Sequence, residues 1–287
     1  MMRGYWRRLI LGLLTLIGFS ERGFFIPYRY AGTKLIIYKN AFLGLTEQFI
    51  KSEPTFIDFL KKINESCNQI KLTDKRFSPT PRWDQDWFPG LDAASAYTMV
   101  CKYRPKRIVE IGCGHSTRFF ISAILDAGLD TKLTAIDPKP RANIDQLGVE
   151  CLRVTVQEIL HDSINKSCFS ELGRGDILSI DSSHILMPGT DVDCLLNRVV
   201  PLLPKGILIH IHDIFLPDHY PKEWTWRGYN EQLGVAPLLE GDHYNLIWSS
   251  HYVRSRMAAD IKKFRHVREL PLIKGAMESS LWIEKEQ

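Results

Sequence analysis

The rhythm of apolar and polar positions changes at Leu91. Beyond it, short and nearly continuous apolar runs alternate with segments of helical spacing. "LDAASAYTMVCKYRP" predicts a helix ended by Pro105, and "RIVEIG" a strand. "STRFFISAILDAG" predicts a helix opened by a Ser/Thr cap and closed by Gly128. "KLTAID", "CLRVTVQ" and "DILSIDSS" predict three more strands, "DVDCLLNRVVPLL" a helix and "GILIHIHDIF" a fifth strand. Apolar runs of this kind fit strands covered on both faces, and the alternation implies a parallel sheet with right-handed crossovers. After "YNEQLGVAPLLE", read as helical, "YNLIWSSHYV" and "SLWIEK" are expected to pair antiparallel at the sheet edge. The expected fold is α/β, a Rossmann-like doubly wound, mostly parallel sheet with an antiparallel C-terminal strand pair.

Before Leu91 the pattern is irregular, so residues 1–90 are read as a helical and loop extension and 91–287 as the main domain. "LTEQFIKSEPTFIDFLKKINESC" has helical spacing on either side of Pro54, with Ser52 as an N-cap and Pro54 in the first turn. "FSPTPRWDQDWFPG" (77–90) reads as a loop lying over the core, with Trp87 and Phe88 either touching the cofactor or simply packing. The apolar run "LILGLLTLIGF" (9–19) follows the basic "MMRGYWRR" and is shorter than a spanning helix requires. A helix packed on the core, an interfacial helix with Arg3, Arg7, Arg8 and Trp6 at headgroup level, and a cleaved leader all fit. The expected setting is the cytoplasm, with residues 1–30 a candidate peripheral contact to the inner face of a membrane.

Composition narrows the function classes. The chain of 287 residues is 45% hydrophobic and 24% charged, enough for a large core without staples. Its net charge of +4 is spread along the chain with no binding motif, so no nucleic-acid partner is expected. The six cysteines form no CxxC pair and no zinc spacing, which fits a reducing compartment.

The chemistry concentrates at strand ends. "VEIGCGHSTRFF" (109–120) places Gly112 and Gly114 where the first strand turns into a helix, and glycine there lets backbone approach a ligand. Asp137 ends the second strand, suited to accept hydrogen bonds from both ribose hydroxyls. "VEIGCGHSTRFF", "LTAIDP" and "DILSIDSSH" together resemble a class I S-adenosylmethionine-dependent methyltransferase, whose first motif is E-x-G-x-G. The sequence looks closest to a bacterial group of that family whose fifth strand runs into "HIHDIFLP…YNEQ". The resemblance implies S-adenosyl-L-methionine as cofactor, with Glu110 toward its methionine end and Gly112, Cys113 and Gly114 lining it. It also implies His115 and Ser116 near its carboxylate, Asp137 on the ribose, Gln157 near the adenine and Asp181 at the fourth strand's exit.

For the acceptor, two readings compete. In one, His184 or His212 removes a hydroxyl proton while an acid such as Asp213 orients it. In the other, Asp181 and Asp213 bind a divalent ion, Mg2+, that acidifies the hydroxyl. The segment "LPDHYPKEWTWRGYNEQ" (216–232) is expected to form the acceptor wall through Tyr220, Trp224, Asn230 and Glu231, suited to a polyhydroxylated small molecule or glycan. The expected reaction is O-methylation. A nicotinamide-dependent oxidoreductase of the same layout is the enzyme alternative, weakened by Thr117 in place of the third glycine and by the lack of a Tyr-x-x-x-Lys pair. A cofactor-binding scaffold without turnover is the other.

Overall fold

The computed structural model describes residues 2–30, 32, 42–69, 80–140, 144–161 and 167–286. Two helices come first, α1 (Met2–Leu16) and α2 (Leu43–Gln69), then α3 (Gly90–Tyr103), β1 (Arg107–Ile111), α4 (His115–Asp126), β2 (Lys132–Ile136) and β3 (Glu150–Leu152). There follow α5 (Val156–His161), α6 (Ser167–Ser170), β4 (Ile177–Ile180), α7 (Asp191–Cys194) and β5 (Leu208–Ile211). A 3-10 turn spans Lys222–Arg227, and the chain closes with α8 (Glu231–Glu240), β6 (Tyr244–Ser249), α9 (Ser250–Arg256), α10 (Ala258–Lys263), α11 (Arg265–Arg268) and β7 (Leu281–Lys285).

The seven strands run in the order β3-β2-β1-β4-β5-β7-β6. β1 to β5 pair in parallel, while β7 inserts antiparallel between β5 and β6. The order reverses between β1 and β4, the switch point at which ligands of open α/β sheets bind. The expected Rossmann-like sheet with its antiparallel C-terminal pair is what forms.

Several local expectations change. Pro54 does not open a helix: α2 runs through it unbroken. Pro54 is exposed, so the carbonyl it leaves unbonded meets water, while Phe49, Phe56, Phe59, Leu60 and Ile63 keep the opposite face buried. Ser52 is no cap, since its hydroxyl donates back to Gln48 O at 2.9 Å. That buried face joins the same apolar core as the sheet, with Phe56 and Phe59 edge-on to Trp248 of β6. The third strand stops at Leu152, because the Glu158 carboxylate accepts from Thr155 N (2.7 Å) and Thr155 Oγ1 (2.8 Å) and starts α5 there. β6 ends at Ser249, whose hydroxyl caps α9 by accepting from Tyr252 N. The helix expected over 191–203 is α7 followed by a π turn and a 3-10 turn, the last at Pro201. All six cysteines are free thiols. Among the described residues no helix is long and apolar enough to cross a membrane.

Candidate active site

The strand exits are sewn together by backbone. Gly112 N donates to Ile136 O and Asp181 N to Ile111 O, each at 2.9 Å. Gly112 has φ +74°, and a Cβ there would lie 1.8 Å from the Asp181 carbonyl oxygen. Only glycine therefore lets the β1 exit lie against the β4 exit. Cys113 N donates to Asp137 Oδ2 at 3.1 Å, which ties in β2, and Lys139 N holds Oδ1 at 2.7 Å. Asp137 stays half-buried, so its carboxylate keeps lone pairs open to a ligand.

Glu110, expected to act on the methionine end indirectly or through its amino group, is fully buried beneath the turn. Its two oxygens accept from Ser116 Oγ (2.5 Å) and Thr117 Oγ1 (2.6 Å), and burial pushes its carboxyl up to about 7 against those hydrogen bonds. Ser116 therefore does not cap α4, and its hydroxyl is spent on Glu110. The helix begins at His115 with Gly114 before it, and Thr117 Oγ1 accepts from Gly114 N at 2.9 Å. Thr117 thus locks the turn where a dinucleotide site would need a third glycine. Gln157 lies on α5, and its amide donates to Gly189 O at 2.9 Å, toward the loop after β4 rather than the β3 exit. Phe88 is core, packed against Phe119 and His212, whereas Trp87 is exposed. Two buried polar atoms on this rim lack a partner, His115 Nδ1 and Ser182 Oγ. Orphaned groups beside a half-open carboxylate and a glycine turn fit a nucleoside cofactor carrying hydroxyl and charged ends.

Next to this cradle lies a cluster of two imidazoles and four carboxylates. His184 Nδ1 is 2.8 Å from Glu231 Oε2, and its Nε2 faces Asp181 Oδ1 (3.3 Å) and Asp213 Oδ2 (3.4 Å). His212 mirrors it, with Nε2 on Asp92 Oδ2 (3.2 Å) and Nδ1 facing Asp213 Oδ1 (3.5 Å) and Asp181 Oδ1 (3.7 Å). Asp181 and Asp213 are therefore bracketed by two imidazoles, each held from behind by an acid. Among the described residues three non-glycines have positive φ, and two of them are His184 (61°) and Asp213 (58°). Left-handed backbone is costly for such residues and concentrates where surrounding structure enforces it. It also explains why Asp213 does not take the face opposite His212, as strand alternation predicts.

The charges support one another. Burial alone would lower the two imidazoles. For His184 the hydrogen bonds to Asp181 and Glu231 prevail, for His212 the charges of Asp213 and Asp181, and both titrate well above the usual histidine range. Burial opposes ionisation of Asp181, but His212 and His184 outweigh it and hold its carboxyl well below the usual carboxylate range. Neither histidine is thus the free neutral base expected from sequence. Asp181, with a side chain 36% exposed, is the member most open to a ligand, against 5% for either histidine and 10% for Asp213. His210 does not join the rim. It is fully buried, bonded to Ser179 and Ser280 hydroxyls and stacked on Trp282, and burial depresses it to about 3. Asp181 and Asp213, the residues expected to hold Mg2+, lie together with an imidazole of His184 and one of His212 facing both. Among the described residues no group of three or more His, Cys, Asp or Glu is disposed to hold a metal ion.

The acceptor wall divides. Tyr220 and Trp224 pack with Tyr229 around Phe215, and Tyr229 lies 4.6 Å from the His184 ring. Asn230 is structural, its amide bonded to Leu186 N (2.7 Å) and Leu186 O (3.2 Å), which fixes the loop carrying His184. Glu231 is the partner of His184, not a wall residue. Sequence reasoning missed Asp92 of α3, whose carboxylate also accepts from Ser279 N and Ser280 N. Its signal is one acid in the otherwise uncharged "LDAASAYTMV".

Comparison with known proteins bears on this site. Residues 109–214 match the family described as a methyltransferase domain. No curated protein matches the chain. Among solved structures, the S-adenosylhomocysteine-bound methyltransferase PaMTH1 of Podospora anserina is 16% identical at TM-score 0.43, covering 92% of this chain and 100% of its own. CmcI-N160 in its apo form is 16% identical at TM-score 0.42, covering 76% and 88%. MycE, a methyltransferase of mycinamycin biosynthesis in complex with Mg, S-adenosylhomocysteine and mycinamycin VI, is 17% identical at TM-score 0.36, covering 70% and 56%. The stretch that matches a methyltransferase domain, residues 109–214, holds the glycine turn, Asp137 and the β4 and β5 exits.

Proposed function

We propose that the protein transfers a methyl group to a hydroxyl oxygen of a polyhydroxylated small-molecule or glycan acceptor. The observation that carries this is the half-exposed Asp181 carboxylate, backed by His184 and His212 beside the cofactor cradle. The cofactor supplies a methyl group already activated on a sulfonium, so the protein's share is alignment, proton handling and exclusion of water. Asp137 would hold the ribose, and the turn from Gly112 to Gly114 the chain beside it.

An acceptor hydroxyl would donate its hydrogen bond to Asp181. As that oxygen gains a methyl its proton becomes more acidic than any protonated carboxyl, so even a carboxylate held below the usual range can take it. His184 and His212 act as positioning residues. They keep Asp181 ionised and aimed, while Glu231 and Asp92 fix the ring orientations. Asp213 stands as the second carboxylate, held by Ser279 Oγ at 3.1 Å. Tyr220, Trp224 and Tyr229 offer ring faces on which a sugar can lie.

Residues 1–30 would bring the site to a membrane surface. Tyr5, Trp6, Ile10, Leu13 and Leu16 are exposed on α1, with Phe19, Phe24 and Phe25 beyond it. α1 packs against the 3-10 turn Lys222–Arg227, which carries Trp224 of the acceptor wall. This favours a lipid-linked acceptor.

The test is transfer of labelled methyl from S-adenosylmethionine to a panel of hydroxylated glycans and glycolipids, with Asp181→Asn as control. Transfer to oxygen that the variant loses supports the reading. S-adenosylhomocysteine binding without transfer to any member favours the non-catalytic scaffold.

A further inference from the structure

We infer that Arg227 is the receptor for an anionic group, a carboxylate or a phosphate, carried by the acceptor near the hydroxyl to be methylated. The inference rests on the methyl-transfer reading of the neighbouring cluster and names the acceptor's class: an acidic one.

Arg227 lies in the 3-10 turn, half-buried among aromatic rings. Its guanidinium carbon is 4.1 Å from the centre of the Trp224 ring, 5.3 Å from Tyr229 and 5.5 Å from Trp226. Nη1 donates to the Tyr229 hydroxyl at 3.0 Å. Nε is buried and has no hydrogen-bond partner. Among the described residues no carboxylate lies within ion-pair distance of it. The acids of the neighbouring cluster, Asp181, Asp213 and Glu231, face imidazoles.

Two other arginines of this chain are paired with carboxylates. Arg254 Nη2 donates to Glu278 at 2.8 Å, and Arg256 grips both oxygens of Asp218 at 2.7 Å. Arg227 has rings where those have carboxylates. Ring faces stabilise a cation and hold its plane rigid, but they satisfy none of its N–H donors. A planar fork so fixed, with a donor left over, suits two-point capture of a carboxylate or phosphate.

Tyr229 connects this receptor to the reaction. One neighbour of its ring is the His184 imidazole, at 4.6 Å between centroids, and another is the Arg227 guanidinium. An anion on Arg227 would therefore sit about one aromatic ring from the cluster. That is the scale of one sugar residue, so an acid and an acceptor hydroxyl on the same or adjacent sugar would reach both. The cluster carries more acids than imidazoles, and Arg227 offsets the repulsion an acidic acceptor would otherwise meet.

The experiment is calorimetric titration of the full-length protein, saturated with S-adenosylhomocysteine, with glucose, glucuronate and glucose 1-phosphate. It is repeated on Arg227→Gln and Arg227→Lys. The expected result is at least about tenfold tighter binding of one or both acidic sugars than of glucose. Arg227→Gln should abolish that preference and Arg227→Lys restore part of it, with S-adenosylhomocysteine affinity unchanged in both. Whichever acid binds tighter identifies the anion. Equal affinity for neutral and acidic sugars, no binding of either acid, or a preference that survives Arg227→Gln overturns the inference. Failure of the wild type to bind S-adenosylhomocysteine would instead sink the methyltransferase reading itself.

Discussion

Glu231 Oε2 lies 2.8 Å from His184 Nδ1, joining the start of α8 to the loop after β4. Glu231 is 1% exposed and its other oxygen, Oε1, is buried without a partner, so the pair is sealed from water. Burial raises the Glu231 carboxyl, and only the imidazole works against this. Glu231→Gln would remove one of the carboxylates that, with Asp181 and Asp213, hold His184 as a cation, while keeping the shape. The expected outcome is a fall in kcat of about a hundredfold, as for a misplaced catalytic group, with S-adenosylhomocysteine affinity unchanged. Steady-state kinetics beside calorimetry checks it. Weakened cofactor binding would show the pair to be structural.

Asp137 is fixed by two backbone N–H groups and faces the cofactor cradle half-exposed. Removing a charged acceptor of hydrogen bonds costs about 1.5–3 kcal/mol, so Asp137→Ala should weaken S-adenosylhomocysteine binding about ten- to a hundredfold. Titration in the presence of NADH separates this site from a nicotinamide site. Competition by NADH would count against the assignment.

Glu110 makes stability fall as pH rises. Its carboxyl is raised from 4.5 to about 7 in the folded protein, so the native state binds its proton more tightly than the unfolded chain does. The stabilisation is present below about 4.5 and is lost as pH climbs to about 7, a change of about 3 kcal/mol. Glu110→Gln carries no titrating group. Denaturant unfolding of the ligand-free protein should show the variant gaining on the wild type by roughly that amount between acid and neutral pH. A difference that stays constant with pH would refute the titration of Glu110.

The apolar side chains of α1 lie beside Arg7 and Arg8. If this face meets an anionic bilayer, each arginine contributes about 1 kcal/mol near the surface. Sedimentation with phosphatidylglycerol vesicles should show binding that drops more than about tenfold in Arg7→Glu/Arg8→Glu and that salt weakens. Equal binding of both proteins to neutral and anionic vesicles would leave the charge without a role.

Much of the sheet was legible because strand periodicity is local. The runs at 107–112, 132–137, 176–183 and 206–215 contain β1, β2, β4 and β5, since apolar residues buried on both faces admit few other solutions. Boundaries failed where a single side chain decided them. Glu158 ended the third strand early, Ser249 turned β6 into a helix, and the buried face of α2 carried the helix through Pro54. The site divided in the same way. Asp137 and the glycine turn are read from residues adjacent to a strand end, whereas the bond between Glu110 and Ser116 beneath that turn is not.

What the sequence determined by itself was the parallel sheet, its antiparallel close and the glycine turn at its switch point. These follow from periodicity and from glycine where backbone must approach backbone. What only the tertiary structure decided was the pairing of Glu231 with His184 and of Asp92 with His212, and the exclusion of His210. These partners are separated by 47, 120 and, for His210 and Ser280, 70 positions. Whether an imidazole is a buried neutral ring or a shared cation depends on which acids the fold brings to it, and no local pattern along the chain encodes that distance.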